Sequence, residues 1–377
     1  MPWKEQTLVS LRLEFVKQAL MNDTNLSQLC REYGISRKTG YKWLRRYLEE
    51  GPEGLLDRSR CPHHSPQRTP PEVEQQVLQV RDKHPAWGGR KIRKRLERLG
   101  AEPVPPASTI IEILRRHGRI DPEESPKHRP WQRFEAERPN QLWQMDFKGY
   151  FSMANQQDCH PLTLLDDHSR FCLGLRACAN ERRATVREQL IPIFRKYGLP
   201  DQLLVDNGPP WGTGHRSRLT RLGVWLVRLG IELSHIGFYH PQTIGKDERF
   251  HRTLKAEVLR QQAIHNLGHA QACFDPWRQI YNHERPHEAL AMQVPAQRYQ
   301  ESAQAFPETL PPIEYPPGEM VRKVDQGGKI SFRGQSYRVG RALWGLPVAV
   351  RPVNIEGWFE VYFCQHKVVC IDTRKHA

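Results

Sequence analysis

No apolar run in this 377-residue chain approaches the roughly 18 residues that a membrane-spanning helix needs. The opening Met-Pro-Trp-Lys-Glu lacks the apolar stretch of a secretion signal. Both absences argue against membrane and export and point to a cytoplasmic, nucleoid-associated protein. Paired cysteines are missing too. The eight, at 30, 61, 159, 172, 178, 273, 364 and 370, include no C-x-x-C, which excludes a disulfide scaffold and favours buried free thiols in a reduced compartment. Cys61, His63 and His64 have no second pair of ligands nearby, so a zinc site there is rejected. Acid is in deficit, with 42 Asp and Glu against 57 Lys and Arg, a net charge of +15. With a pI near 9.6, that surplus calls for a polyanionic partner, most simply nucleic acid. No internal repeat stands out.

What is present is enough for several domains: 38% hydrophobic residues build real cores, and a mean hydropathy of -0.70 keeps the surface wet. Residues 1–60 read as helices. Leu8, Leu11, Phe15, Val16 and Ala19 recur at helical spacing, and LSQLCREY follows. After Gly34, Ser36 is a natural N-cap for RKTGYKWLRRYLEE. Two helices across a short turn, the second carrying Arg37, Lys38, Lys42, Arg45 and Arg46, describe a DNA-reading helix-turn-helix. Gly40 is out of place in a recognition helix, where it costs about 1 kcal/mol. Residues 61–70 are a linker. From 71 to 118, PEVEQQVLQVRDKHP, GGRKIRKRLERLG and a Ser108-capped STIIEILRRHG make a second helix-turn-helix, with Lys91, Arg93 and Lys94 as DNA-binding candidates. Residues 119–138, rich in Pro, Arg, Lys and Glu, form another linker.

From 139 to 300 the periodicity changes. QLWQMDFKGYF is a strand, PLTLLDDHSRFCLGLRAC is two strands meeting at Asp167–Arg170, and LLV before Asp206 is a fourth. Helices near 184–197, 216–229, 246–262 and 269–283, with a strand at 231–236, complete the order of a ribonuclease-H-like α/β core. Residues 301–377 end in short strands (KISF, QSYRV, PVAVRPV, WFEVYF, KVVCI) that predict a small all-β barrel.

Three acids stand out. Asp146 sits in an apolar strand, where an uncompensated carboxylate is costly. Asp206 ends a strand before Asn-Gly, and Glu248 opens a helix. Should the first and fourth strands be neighbours, all three converge at one sheet edge, where two Mg²⁺ ions would answer their charge. Singly, each has an ordinary reading as a buried acid, a turn residue or a helix-start residue. Asp166 and Asp167, beside His168 and Ser169, read as turn residues.

WQMDF, VDNGPP and HPQTIGKDERFHRTLKAEVL, with the trailing YNHERPHEAL, resemble the acidic motifs and core end of DDE transposases of the bacterial insertion-sequence type, in the retroviral-integrase superfamily. The resemblance spans about residues 136–300. It implies that Asp146, Asp206 and Glu248 are catalytic and bind two Mg²⁺ ions, replaceable by Mn²⁺. It implies DNA contacts from Lys255 and from His240, Gln242 and Lys246. Forty-one residues separate Asp206 from Glu248, more than the resemblance implies. The surplus falls in a loop containing His215, Arg216 and Arg218, within reach of DNA. The implied protein binds the terminal repeats of a mobile element as a homo-oligomer on double-stranded DNA, cuts the ends and joins them to target DNA. A catalytically silent DNA-binding relative, or a nuclease of the same fold, are the alternatives left open.

Overall fold

The computed structural model describes residues 7–21, 24–58, 69–120, 135–212, 219–235 and 245–374. The chain forms two compact units, Met1–Arg68 and Thr69–Ala377. In the first, α1 (Leu8–Ala19), α2 (Leu26–Glu32) and α3 (Arg37–Glu50) close over Phe15, Val16, Leu29, Cys30, Trp43 and Leu55. Each helix has a side-chain N-cap: Thr7, Asn25 and Ser36, whose Oγ accepts from the Thr39 amide at 3.2 Å. Gly40 now has its reason. A Cβ there would lie 2.5 Å from Cys30 Sγ and 3.0 Å from the Phe15 ring, so α3 meets α1 and α2 through its bare backbone. The helix gives up propensity for close packing.

The second unit opens with α4 (Pro71–Lys83), α5 (Gly89–Arg98) and α6 (Ala107–Arg116). They enclose Val77, Val80, Trp87, Ile92, Leu96, Ile110, Ile113 and Leu114, and His84 stacks on Trp87 with ring centres 3.9 Å apart. Gly89 lets α5 approach α6, because a Cβ would fall 2.6 Å from the Ala107 carbonyl oxygen. The N-cap of α6 is Pro106 rather than Ser108, which lies inside the first turn. A proline with φ preset near its helical-start value sets that boundary.

The core sheet consists of β1 (Leu142–Phe147), β2 (Phe151–Ser152), β3 (Asp158–Asp166), β4 (Cys172–Cys178), β5 (Gln202–Val205) and β6 (Glu232–His235). Its order is β2-β3-β1-β5-β6, with β4 on the other edge of β3. Strand β1 is antiparallel to β3 and parallel to β5, and β5 is parallel to β6. Helices α7 (Arg183–Tyr197) and α8 (Arg221–Arg228) cover the face built from Trp143, Met145, Leu162, Leu164 and Leu203. On the other face, α9 (Gly245–Leu254) and α10 (Leu267–Gln279) pack Phe250, Leu254, Phe274 and Trp277 against Leu165, Cys172 and Leu175. Both of these helices run on into single π-helical turns, Lys255–Leu259 and Ile280–Glu284.

The C-terminal strands do not close into the expected barrel. β7 (Met320–Lys323), β10 (Pro347–Pro352), β11 (Trp358–Phe363) and β12 (His366–Asp372) form an antiparallel sheet ordered β12-β11-β10-β7. β8 (Lys329–Phe332) and β9 (Gln335–Arg338) pair only with each other. The ribbon lies over the sheet through Phe332 and Phe359, rings 4.9 Å apart, and so buries the apolar face without bridging its edges.

Candidate active site

Strand alternation turns Trp143, Met145 and Phe147 into the α7–α8 face, so Asp146 projects toward α9. Gln144 pairs with Leu204 in the parallel β1–β5 register, and two residues further on Asp146 falls beside Asp206. Asp206 is exposed just beyond β5, its carboxylate accepting the Gly208 amide in an Asx turn. Glu248 is exposed in the first turn of α9. Burial pushes the Asp146 carboxyl up to about 7, against the pull of the Phe147 amide, and the charges of Asp206, Glu181 and Glu248 add to the rise. The three acids therefore share one electrostatic neighbourhood. Among the described residues, no three His, Cys, Asp or Glu side chains are close enough together to hold a metal ion.

A fourth acid, absent from the sequence expectations, sits among them. Asp247 is buried, and its Oδ1 has no hydrogen-bond partner among the described residues. Its carboxyl is held well above the ordinary range, first by burial and then by Asp146 and Asp167. The signal was available: Asp247 lies three residues before Phe250 and seven before Leu254, on the apolar stripe of α9.

Two more residues join β1 to α9. Thr163, directly opposite Asp146 in the β1–β3 register, donates its hydroxyl to the Asp146 carbonyl oxygen at 2.9 Å. The same Oγ1 is 2.9 Å from His251 Nε2. Because the hydroxyl proton is already engaged, the ring supplies Nε2–H and is neutral. Burial, with the Lys148 charge, holds that imidazole down at about 4. Lys148, two residues beyond Asp146, is half-buried and is lowered by burial and by the neighbouring Lys255 ammonium. Lys148 and Lys255 thus lie near each other along the β1–α9 seam.

The expected DNA contacts divide. Arg37, Lys38, Lys42 and Arg45 lie on the open side of α3, while Arg46 is half-buried. Arg12, Lys42 and Arg46 lie 4.0, 4.5 and 5.2 Å from the centre of the Trp43 ring. Lys255 is exposed. Lys246 is not: its ammonium lies on the Asp167 carboxylate and 3.3 Å from the Asp167 carbonyl oxygen, and burial lowers it to about 8. Asp167 also accepts the Ala136 amide at 2.7 Å and Gln144 Nε2 at 2.6 Å. Asp166 accepts from Asn140 and Ser169, the turn role expected of it. On α5, Arg93 and Lys94 pair with Glu97 at the surface. Lys91 instead faces Arg285, Glu257 and Glu288 of the core, and burial lowers it to about 8. His240 and Gln242, like His215, Arg216 and Arg218, lie outside the described residues.

Comparison with known proteins gives matches along most of the chain. Residues 11–63 match a helix-turn-helix domain and 39–114 a homeodomain-like domain. Residues 136–241 and 229–295 match integrase core domains, and 319–377 the C-terminal domain of IS481 family transposases. Similar proteins include the insertion element IS407 uncharacterized 31.7 kDa protein of Burkholderia multivorans, 27% identical over 42% of this chain and 55% of its own length. Another is the insertion element IS476 uncharacterized 39.2 kDa protein of Xanthomonas euvesicatoria, 28% identical over 42% of this chain and 44% of its own. The chain thus spans about half the length of these relatives. Among solved structures, the HTLV-2 integrase catalytic core domain in complex with magnesium is 15% identical over 44% of this chain and all of its own, with a TM-score of 0.34.

Proposed function

This chain belongs to the DDE transposases of the bacterial insertion-sequence type, within the retroviral-integrase superfamily, and we propose that it cuts and joins DNA strands at Asp146, Asp206 and Glu248. The observation that carries this reading is the state of Asp146. Its carboxyl is raised to about 7 in a field made by burial, Asp206, Glu181 and Glu248, which is a site short of positive charge. The unpartnered, buried Asp247 Oδ1 points the same way. Hard carboxylate oxygens suit magnesium, with manganese as its substitute. When bound, a pair of such ions supplies activation of the attacking oxygen and stabilisation of the leaving one.

The chain's own residues do the rest. β1 and β5 hold Asp146 and Asp206 at fixed spacing, and α9 delivers Glu248 from the opposite side, steadied by the Lys246–Asp167 contact. Lys148 and Lys255 offer charge to the phosphates of a strand laid across the acids. The helices of residues 7–116 read the terminal repeats of the element, with base contacts from the exposed residues of α3 and salt-dependent phosphate contacts around them. Two ends must be held at once, so the working form is a homo-oligomer on double-stranded DNA.

The test is incubation of the chain with DNA carrying the inverted repeats that flank its coding region, plus Mg²⁺ or Mn²⁺, with products mapped at nucleotide resolution. Joined products support the transposase. Cutting without joining favours a nuclease, and binding with neither favours a silent DNA-binding relative.

A further inference from the structure

The three-helix module α4–α6 does not hang from the core on a tether; it is seated on it. Both belong to one compact unit. The seat is Glu284, in the π-helical turn that ends α10. Its carboxylate accepts from Arg95 at 2.8 Å and has Lys83 at 3.8 Å and His84 at 3.9 Å. Arg95 is only 20% exposed and Glu284 28%, so the pair is far less screened than a surface bridge. One turn along α5, Arg98 donates to the Met292 carbonyl oxygen at 3.3 Å and to Gln297 Oε1 at 3.0 Å. Ile280 of the core packs against the module's own apolar cluster.

The helical phase of α5 explains the division of labour. Lys91, Arg95 and Arg98 face the core, Ile92 and Leu96 face the module's interior, and Arg93, Lys94 and Glu97 face outward. One basic stripe of α5 is thus spent on the core, which leaves Ser108, Glu112 and Arg115 of α6 exposed on another side. The seat also continues inward. Arg285, next to Glu284, donates to Glu257 Oε1 at 3.1 Å, with both side chains 10% exposed. Trp277 Nε1 donates to Glu257 Oε2 at 2.9 Å. Glu257 belongs to the turn that prolongs α9, two residues beyond Lys255 and nine beyond Glu248.

We propose that α4–α6 acts as a fixed spacer: Glu284 grips α5 so that duplex DNA held on the module's outward side lies at a set distance from the acids, and Arg285–Glu257 anchors that seat to the helix bearing Glu248. Glu284 is a positioning residue, and the inference rests on the functional reading above. A tethered reader finds its sequence anywhere within tether reach; a seated one fixes which phosphodiester lies over the site. The length between recognised sequence and cut is then a property of the fold.

The test avoids catalysis. A duplex selected by the full chain from a random-sequence pool is footprinted with hydroxyl radicals, with magnesium omitted. Beside the protection given by α3, the expected pattern has two further protected stretches, one from the α4–α6 module and one from the core, at constant separation from each other. Glu284→Lys should keep the first at saturating protein and lose or smear the second, while Glu284→Asp keeps both. Arg95→Gln opens the seat from the other side and must give the same loss as Glu284→Lys. Hydrogen exchange should rise at residues 89–98 and 280–297 in both disruptive variants, with Ile113 staying protected. No module-and-core pair at constant separation in the unaltered chain, or an unchanged pair in both disruptive variants, overturns the proposal. Failure to cut or join with magnesium would count against the functional reading alone and leave this comparison standing.

Discussion

Lys246 buries its ammonium on the Asp167 carboxylate, joining the first turn of α9 to the β3–β4 turn on the far side of Asp146. Glu248 follows two residues later, so this contact sets where the third acid enters. It also accounts for a lysine that, read as sequence, looked free to touch DNA.

Replacing Lys246 by Met should therefore act on geometry and stability together. Asp167 would keep its bonds from Ala136 and Gln144 but face burial with only the Arg170 guanidinium, 4.0 Å away, to offset its charge. Such losses cost about 3 kcal/mol. The expected result is a lower melting temperature and a large fall in strand joining, with repeat binding within about twofold of the parent. An unchanged melting temperature would refute the buried contact.

Asp206→Asn should abolish joining while leaving repeat binding intact, because α3 and α6 lie elsewhere in the chain. Losing roughly 4 kcal/mol of transition-state stabilisation slows the reaction about a thousandfold. Gel-resolved joining at saturating DNA measures it, and a rate near the parent's removes Asp206 from the chemistry.

Asp146 gives a pH signature in the absence of divalent metal. Its folded carboxyl titrates near 7, above the 3.8 of an ordinary aspartate, so the folded state holds the proton more tightly than the unfolded state. Stability is fully present below about pH 4, declines as pH rises toward 7 and is flat beyond. Asp146→Asn should remove that decline, gaining up to roughly 4 kcal/mol at neutral pH. Melting in EDTA from pH 4 to 8 checks it; parallel curves for the two proteins would contradict the buried, repelled carboxyl. Added magnesium should raise the melting temperature of the parent and not of the variant.

Gly40→Ala should destabilise the first unit despite alanine's better helix propensity, since its Cβ would meet Cys30 Sγ at 2.5 Å. Overpacking of this kind costs about 1–3 kcal/mol. Adding Cys30→Ala should recover part of the loss. Thermal melts of the single and double variants would show it, and a single variant as stable as the parent would disprove the clash.

The sequence singled out Asp146 for a physical reason. A carboxylate in LWQMDF has no cheap explanation, and strand pairing brought Asp206 beside it. Asp247 was overlooked because it sits next to a more conspicuous acid, although the phase of Phe250 and Leu254 marked its position as buried. The fate of α5 was beyond local reading. Its surface is basic on several sides, and which stripe is covered depends on Glu284, 189 residues from Arg95. The C-terminal strands were recognisable one by one, but short alternating segments do not say whether sheet edges meet. Here β8 and β9 cover the apolar face instead.

The seating of α4–α6 also changes where the α/β core of the chain can be taken to begin. Trimming the gene within 119–138, where composition alone invites a cut, would bare Ile280 and strip Glu284 of Arg95, Lys83 and His84. The fragment would carry a raw apolar spot beside an unmatched carboxylate. A self-sufficient piece has to start ahead of Pro71, so the α/β core comes with its three-helix module already attached.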